Sequence, residues 1–206
     1  MLAQGSLLDV DAAPGFTPLA PTRTPLAAGA WVDHQPRWLA GSDAVFDALL
    51  SDVDWQAERR EMFDAVVDVP RLTRFYGARE PLPHPALDAA RALLSAHYAR
   101  ELGERFTTAG LCLYRDGRDS VAWHGDREGR SSRQDTMVAI LSLGQARTLS
   151  LRRRGGGPTL HRLALGHGDL VVMGGSCQRT WDHAIPKTSD AVGPRISVQF
   201  RPRGVR

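Results

Sequence analysis

The sequence predicts an α+β fold, with helices in its first half and a β-sandwich or jelly roll in its second. Two observations carry that reading. Apolar residues up to Gly103 recur at helical spacing, whereas beyond it they alternate in short runs. Those runs are separated by strong turn signals: Arg115-Asp116-Gly117, Gly155-Gly156-Gly157-Pro158, Gly166-His167-Gly168 and Gly174-Gly175. Helices followed by a series of short strands pack as segregated layers around one core. At 206 residues the chain is long enough to bury such a core as one domain.

In chain order, residues 1–28 are rich in Ala, Pro, Thr and Gly and have no period. They are expected to form a loosely ordered arm, with one short strand at Ser6–Val10, ahead of a single domain over 29–206. A first helix is signalled at Ser42–Leu50, capped by Ser42 and Asp43, with Val45, Phe46, Leu49 and Leu50 as its apolar face. Trp55 to Phe63 is charged and reads as part helical, and an extended segment ends at Val69-Pro70-Arg71. Pro83–Gly103 is the clearest helix: proline near the start, Leu87, Ala90, Leu94 and Tyr98 on one face, glycine at the stop. Strands are then expected at Gly110–Tyr114, Ser120–His124, Thr136–Leu143, Thr148–Arg152, Leu160–Leu165, Asp169–Met173, Arg179–Ile185 and Arg195–Arg201.

Composition excludes some classes. A hydrophobic fraction of 42% with 24% charged residues is that of a soluble globular chain. No apolar run approaches the roughly 18 residues of a membrane span, so no membrane association is expected. The first residues lack a basic region, so no secretory leader is expected. The cysteines, Cys112 and Cys177, lie in apolar or small-residue surroundings and read as buried thiols in a reducing, cytoplasmic setting. The net charge of +3 tilts the reading towards a polyanionic partner without deciding it. Nothing demands more than a monomer.

The chemistry starts at Trp123-His124-Gly125-Asp126. On an extended strand, residues two apart face the same side, so His124 and Asp126 can reach one metal. His183, in Trp181-Asp182-His183 on a later strand, supplies a third ligand. Two imidazoles and a carboxylate form the facial triad of non-haem iron, which leaves positions open for a cosubstrate and oxygen. Catalytic zinc accepts the same donors. Arg195 and Arg201 share one strand face, with Ile196, Val198 and Phe200 on the other. If that strand is interior, each arginine needs an anion, and a dicarboxylate between them and the metal would supply it. If it is an edge strand, both can simply face solvent.

Seven pieces in this order resemble the AlkB family of 2-oxoglutarate dioxygenases: Val69-Pro70-Arg71-Leu72-Thr73, Phe75-Tyr76-Gly77, Leu113-Tyr114-Arg115-Asp116-Gly117, Trp123-His124-Gly125-Asp126, Gly168-Asp169-Leu170, Trp181-Asp182-His183 and Arg195-Ile196-Ser197-Val198-Gln199-Phe200-Arg201. The resemblance covers roughly residue 55 to the end. It implies a double-stranded β-helix (jelly roll) core over about 106–206, N-terminal helices packed on one side, and a substrate lid over about 55–83. It further implies iron(II), 2-oxoglutarate and oxygen, with the metal on His124, Asp126 and His183. Arg195, helped by Tyr114, would pair with the distal carboxylate of 2-oxoglutarate, and Arg201 would sit by the carboxylate nearer the metal. Cys112 and Ser197 would line the same pocket.

The activity implied is oxidative dealkylation of N-alkylated bases in DNA or RNA, releasing formaldehyde, succinate and carbon dioxide. The base must be extruded or presented on a single strand. Glu128 would read its exocyclic nitrogen. Tyr76, Arg71, Phe63 and Arg127 would contact substrate, with Arg74, Arg79, Arg130 and Arg133 also able to meet phosphates at the pocket mouth. Phe63 reads either as a wedge for the flipped base's gap or as core, and Arg152-Arg153-Arg154 as a phosphate clamp or a solvated hairpin tip. His34, His84, His97, His161 and His167 read as structural or exposed. The alternative function is hydroxylation of a protein or small molecule. Two departures limit what carries over. Cys112 stands where the family usually has asparagine, and Ala78-Arg79-Glu80-Pro81-Leu82-Pro83 has no aromatic residue where many relatives are tyrosine-rich.

Overall fold

A computed structural model describes residues 13–62, 65–126 and 130–205. The strand expected at Ser6–Val10, together with Phe63, Arg127 and Glu128, lies outside the described residues. The strands run β1 Gly15–Phe16, β2 Thr22–Pro25, β3 Ala30–Gln35, β4 Leu39–Ala40, β5 Gln56–Met62, β6 Ala65–Tyr76, β7 Phe106–Tyr114, β8 Val121–His124, β9 Val138–Gly144, β10 Arg147–Arg153, β11 His161–Leu165, β12 Asp169–Gly175, β13 Trp181–Ile185 and β14 Arg195–Pro202. The helices are α1 Ser42–Asp52, α2 Pro85–His97, α3 Ala99–Leu102 and α4 Cys177–Thr180.

Two antiparallel sheets face each other. The larger has the order β2-β3-β12-β9-β14-β7-β6-β5, and the smaller β11-β10-β13-β8. The middle strands of the larger sheet are buried on both faces, and strand parity divides their side chains between two cores. Leu111, Leu141, Ile196 and Phe200 pack with Val45, Leu49, Leu87 and Leu94 of α1 and α2. Val138, Ile140, Val171 and Met173 pack instead with Leu149, Leu151, Leu165 and Ile185 of the smaller sheet. This is the jelly roll with helices on one side that the resemblance implied, and one of the two architectures that the alternating pattern left open.

The helix over 83–103 is two pieces. Pro85 opens α2, and His84 caps it by accepting the Ala86 N–H on Nδ1 at 3.1 Å. The expected apolar face is buried, and Gly103 closes α3 at φ 72°. The cap of α1 departs from expectation. The chain enters through Gly41 in the left-handed region, and no side chain caps the helix. Ser42 is already the first helical residue, and Asp43 is turned to His167 Nε2, 3.1 Å away.

Two further expectations are corrected. Within the segment expected to be part helical, Gln56–Met62 is strand: β5 and β6 form an antiparallel hairpin at the edge of the larger sheet. Its charge obscured the pattern because an exposed edge tolerates charge on both faces. Residues 13–28 are not a loose arm, since β1 pairs with β4 and β2 forms the opposite edge of the larger sheet. Every residue of β2 is exposed, so no apolar period marked it. Arg23 holds it instead, with two hydrogen bonds to Asp33 (2.7 and 2.8 Å), two to Glu101 (2.9 and 3.0 Å), and its guanidinium 3.7 Å from the centre of the Trp31 ring.

Candidate active site

Between the two sheets lies a cavity of about 810 Å³, reached by side chains from β5 to β8, β13 and β14. Its centre is a group of ligand atoms from His124, Asp126 and His183, all within 4.8 Å of one another. His124 and His183 are ladder partners on β8 and β13, which brings their ring centres to 4.3 Å. Asp126 arrives differently from the strand-parity argument, because β8 ends at His124. The loop beyond it is held by the buried Gln178, whose carbonyl oxygen accepts the Asp126 N–H at 3.0 Å.

The electrostatics prepare these groups as ligands. Burial opposes ionisation of Asp126, but Arg201 and the two imidazoles outweigh it and hold the carboxyl well below the usual carboxylate range. Arg201 reaches it directly, with Nε and Nη2 each 2.9 Å from Oδ2. Arg201 also lines the cavity, next to the candidate metal group, and its guanidinium orients the acidic ligand. His124 Nδ1 lies 2.8 Å from the Ala122 carbonyl, an acceptor only, so the proton sits on Nδ1 and the Nε2 lone pair is free for metal.

Behind the triad, β14 is not an edge strand. It runs between β9 and β7, and Arg195 is 1% exposed. Its Nε donates to Ser142 Oγ at 3.0 Å, whereas its buried Nη1 has no hydrogen-bond partner. Burial works against its charge, and among the described residues no carboxylate is seen to act on it. The guanidinium lies 5.3 Å from the centre of the Tyr114 ring, and burial pushes the Tyr114 phenol up to about 12, which keeps it a hydrogen-bond donor. The set therefore fits its expected occupants. A His–Asp–His donor group suits iron(II), and a buried cation without a carboxylate suits an anionic cosubstrate.

Ser197 and Cys112 also line this end of the cavity, joined through Gln199: its Nε2 donates to Ser197 Oγ at 2.8 Å, and Cys112 Sγ lies 3.8 Å from its Oε1. Gln199 was missed, although its even spacing from Arg195 could have found it. Both cysteines are free, and burial raises the Cys177 thiol to about 12, so it is an inert thiol.

The expected substrate residues fall less neatly. Tyr76 is 7% exposed and belongs to the core under the helices; β6 turns Phe75, 42% exposed, to the cavity instead. Arg71 is an inner wall residue rather than a mouth residue, donating to the Ser120 carbonyl at 3.2 Å with its Nε buried and unbonded. Arg74 is tied to Glu80 and lies 4.6 Å from the Tyr76 ring centre, while Arg79 and Arg133 are exposed. The Arg152–Arg154 run splits by role. Arg152 stacks 4.4 Å from the Trp123 ring centre with its Nε 3.8 Å from Asp182, directly behind two ligands, whereas Arg154 is exposed. Arg147, unremarked in the sequence, donates to the carbonyls of Asp116, Asp119 and Pro186 and braces the loop beneath Tyr114.

Comparison with known proteins bears on this arrangement. Residues 54–201 match the family model of the 2OG-Fe(II) oxygenase superfamily. The Bos taurus alpha-ketoglutarate-dependent dioxygenase alkB homolog 3 is 33% identical over 190 residues, spanning 81% of this chain and 65% of the relative. The Homo sapiens DNA oxidative demethylase ALKBH2 is 27% identical over 184 residues, 79% of this chain and 69% of the relative. The solved structure of OsALKBH1 is similar in fold, with a TM-score of 0.61 at 12% identity over 88% of this chain and 100% of that one. This chain thus spans just under two thirds of the length of the bovine relative. Among the described residues, no helix is long and apolar enough to cross a membrane.

Proposed function

The chain belongs to the 2OG-Fe(II) oxygenase superfamily, and from that premise we propose that it dealkylates N-alkylated bases of DNA or RNA oxidatively. The observation that carries this is the pairing, in one cavity, of the His124–Asp126–His183 group with a buried Arg195 that has no carboxylate partner among the described residues. The relatives' names, an alpha-ketoglutarate-dependent dioxygenase and a DNA oxidative demethylase, supply the substrate class.

In this reading His124, Asp126 and His183 hold iron(II). Arg195 and Tyr114 grip the distal carboxylate of 2-oxoglutarate, with Ser197 and Cys112 beside it. Once bound, iron(II) with 2-oxoglutarate and oxygen supplies the oxidation: succinate and carbon dioxide form, and the N-alkyl carbon is hydroxylated. A hydroxymethyl group on nitrogen then leaves as formaldehyde, and the base keeps the proton. Arg201 fixes Asp126 in its ionised form, and the Ala122 carbonyl fixes the His124 tautomer. A cavity of about 810 Å³ is large enough for a cosubstrate and an extruded base together. Every group named comes from one chain, so a monomer suffices, and two free cysteines suit a reducing cytoplasm.

The test is anaerobic loading with iron(II) and 2-oxoglutarate, then exposure to air with a panel of alkylated oligonucleotides. Restored base mass with matching formaldehyde is expected. Turnover confined to a protein or metabolite would sink the repair reading and leave the oxygenase assignment standing.

A further inference from the structure

The strand that carries His124 is thinly attached. β8 is an edge strand of the smaller sheet. Among the described residues its ladder to β13 pairs His124 with His183 and Val121 with Ile185, with a register shift between them. The chain on either side is tied down: the Ser120 N–H donates to the Pro70 carbonyl at 2.8 Å, and the Asp126 N–H to Gln178 at 3.0 Å. The short strand between those ties has to hold an imidazole whose ring centre lies 4.3 Å from that of His183.

The face of the sheet turned away from the two imidazoles supplies a further tie. His183 pairs with Leu151 on β10, and Asp182 with Arg152, so Arg152 and Asp182 share the face opposite His183. Trp123 precedes His124 just as Asp182 precedes His183, and the Arg152 guanidinium lies 4.4 Å from its ring centre. The Nε of Arg152 is 3.8 Å from Asp182 Oδ2, an ion-pair distance beyond hydrogen-bond range. Arg152 thus starts on β10, crosses β13 at Asp182 and ends over the indole of β8. Its side chain is 24% exposed and that of Asp182 8%, so the contact is shielded enough for a cation above a ring to hold. A group that fixes the residue next to a ligand also fixes the ligand's direction.

We infer that Arg152 is a positioning residue for the metal group: clamped on Trp123 across β13, it holds the edge strand so that His124 meets the same ion as His183. The inference rests on the reading of His124, Asp126 and His183 as metal ligands. Arg152 itself stands outside the cavity lining, so its effect passes through His124.

The experiment titrates cobalt(II) chloride, at one pH, into wild type, Arg152→Leu, Trp123→Leu, the double variant and Arg152→Lys. Three readouts are taken: the dissociation constant, the visible absorption bands of the bound ion, which report the geometry around it, and the melting temperature of the metal-free protein. Each leucine variant is expected to bind cobalt(II) on the order of tenfold more weakly, with shifted bands. The double variant should lose no more than the worse single one, because the pair makes one contact. Arg152→Lys keeps a cation over the indole and should recover part of the loss. Unchanged affinity and bands in both leucine variants, losses that add in the double variant, or a lysine variant no better than leucine overturn the inference. So does a lower melting temperature with unchanged bands, which marks a purely structural clamp. Wild type that binds no cobalt(II) overturns the metal reading and this inference with it.

Discussion

The central strand β14 and the edge hairpin β5–β6 both present charged residues to the same cavity, yet they carry very different information. On β14 the neighbouring strands β9 and β7 exclude solvent, so every polar side chain there needs a partner: Ser142 and an anion for Arg195, Asp126 for Arg201. On the hairpin, charge can be solvated as readily as it can be used. The lesson is that charge in an interior strand is itself a functional signal, because a buried ion without its partner costs several kcal/mol. Charge on an edge becomes a signal only once a bulge or a hydrogen bond shows where it points.

Several variants would break or sharpen that contrast. Arg195→Met should cause the largest effect, lowering 2-oxoglutarate affinity roughly a hundredfold or more, because it removes the buried cation proposed to pair with the dicarboxylate. Calorimetric titration into manganese-loaded, anaerobic protein measures it. The same variant without cosubstrate should melt no lower than wild type, since the charge it loses was uncompensated; a clear drop in melting temperature would mean that Arg195 is chiefly structural.

Arg201→Gln acts through Asp126. The Asp126 pKa is depressed in the folded chain by Arg201 and the two imidazoles, and removing the guanidinium raises it. The sign for stability follows from the same depression. In metal-free protein Asp126 stabilises the fold above its unfolded pKa of roughly 3.9, and that contribution is lost as pH falls towards the folded value. Arg201→Gln should therefore flatten the acid limb of the denaturation curve; identical limbs would show that the pair contributes nothing.

Glycine substitutions probe the packing of the two regions. At Gly144, next to the β9–β14 ladder, φ is 85° and an added Cβ would lie 2.4 Å from the Pro194 carbonyl oxygen and 2.6 Å from the Phe46 ring. Gly144→Ala should cost about 2 kcal/mol or more by denaturant titration. Gly77, just past the hairpin, meets nothing within 4 Å, and Gly77→Ala should stay within about 0.5 kcal/mol. The smallest effect is expected for Arg23→Ala on the far edge. Its ion pairs are partly exposed, so the loss should be about 1 kcal/mol or less, and salt should reduce it further.

Legibility followed burial. The helix face Leu87, Ala90, Leu94 and Tyr98 was readable because packing against a sheet imposes a period, and the strands of the second half because each buries at least one face in a core. Strands β2 and β5 were not, since an exposed edge strand held by Arg23 or by a charged hairpin has no apolar period to detect. Tyr76 was assigned to the substrate side and Phe75 overlooked because the motif Phe75-Tyr76-Gly77 does not say which parity faces the cavity. Only the pairing of Tyr76 with Ala109 and of Phe75 with Gly110 resolves that.

By itself the sequence determined the candidate residues for the chemistry: the His124, Asp126 and His183 donors, and a strand whose alternate positions carry two arginines between apolar ones. Those follow from residue type and spacing, which are local properties of a covalent chain. Tertiary structure alone decided that Arg201 serves Asp126 and that Asp126 is presented from a loop held by Gln178. The reason is that each depends on which distant segment supplies the compensating charge or hydrogen bond. Compensation across 75 residues, the separation of Asp126 and Arg201, is settled by register and packing and leaves no mark on either local sequence.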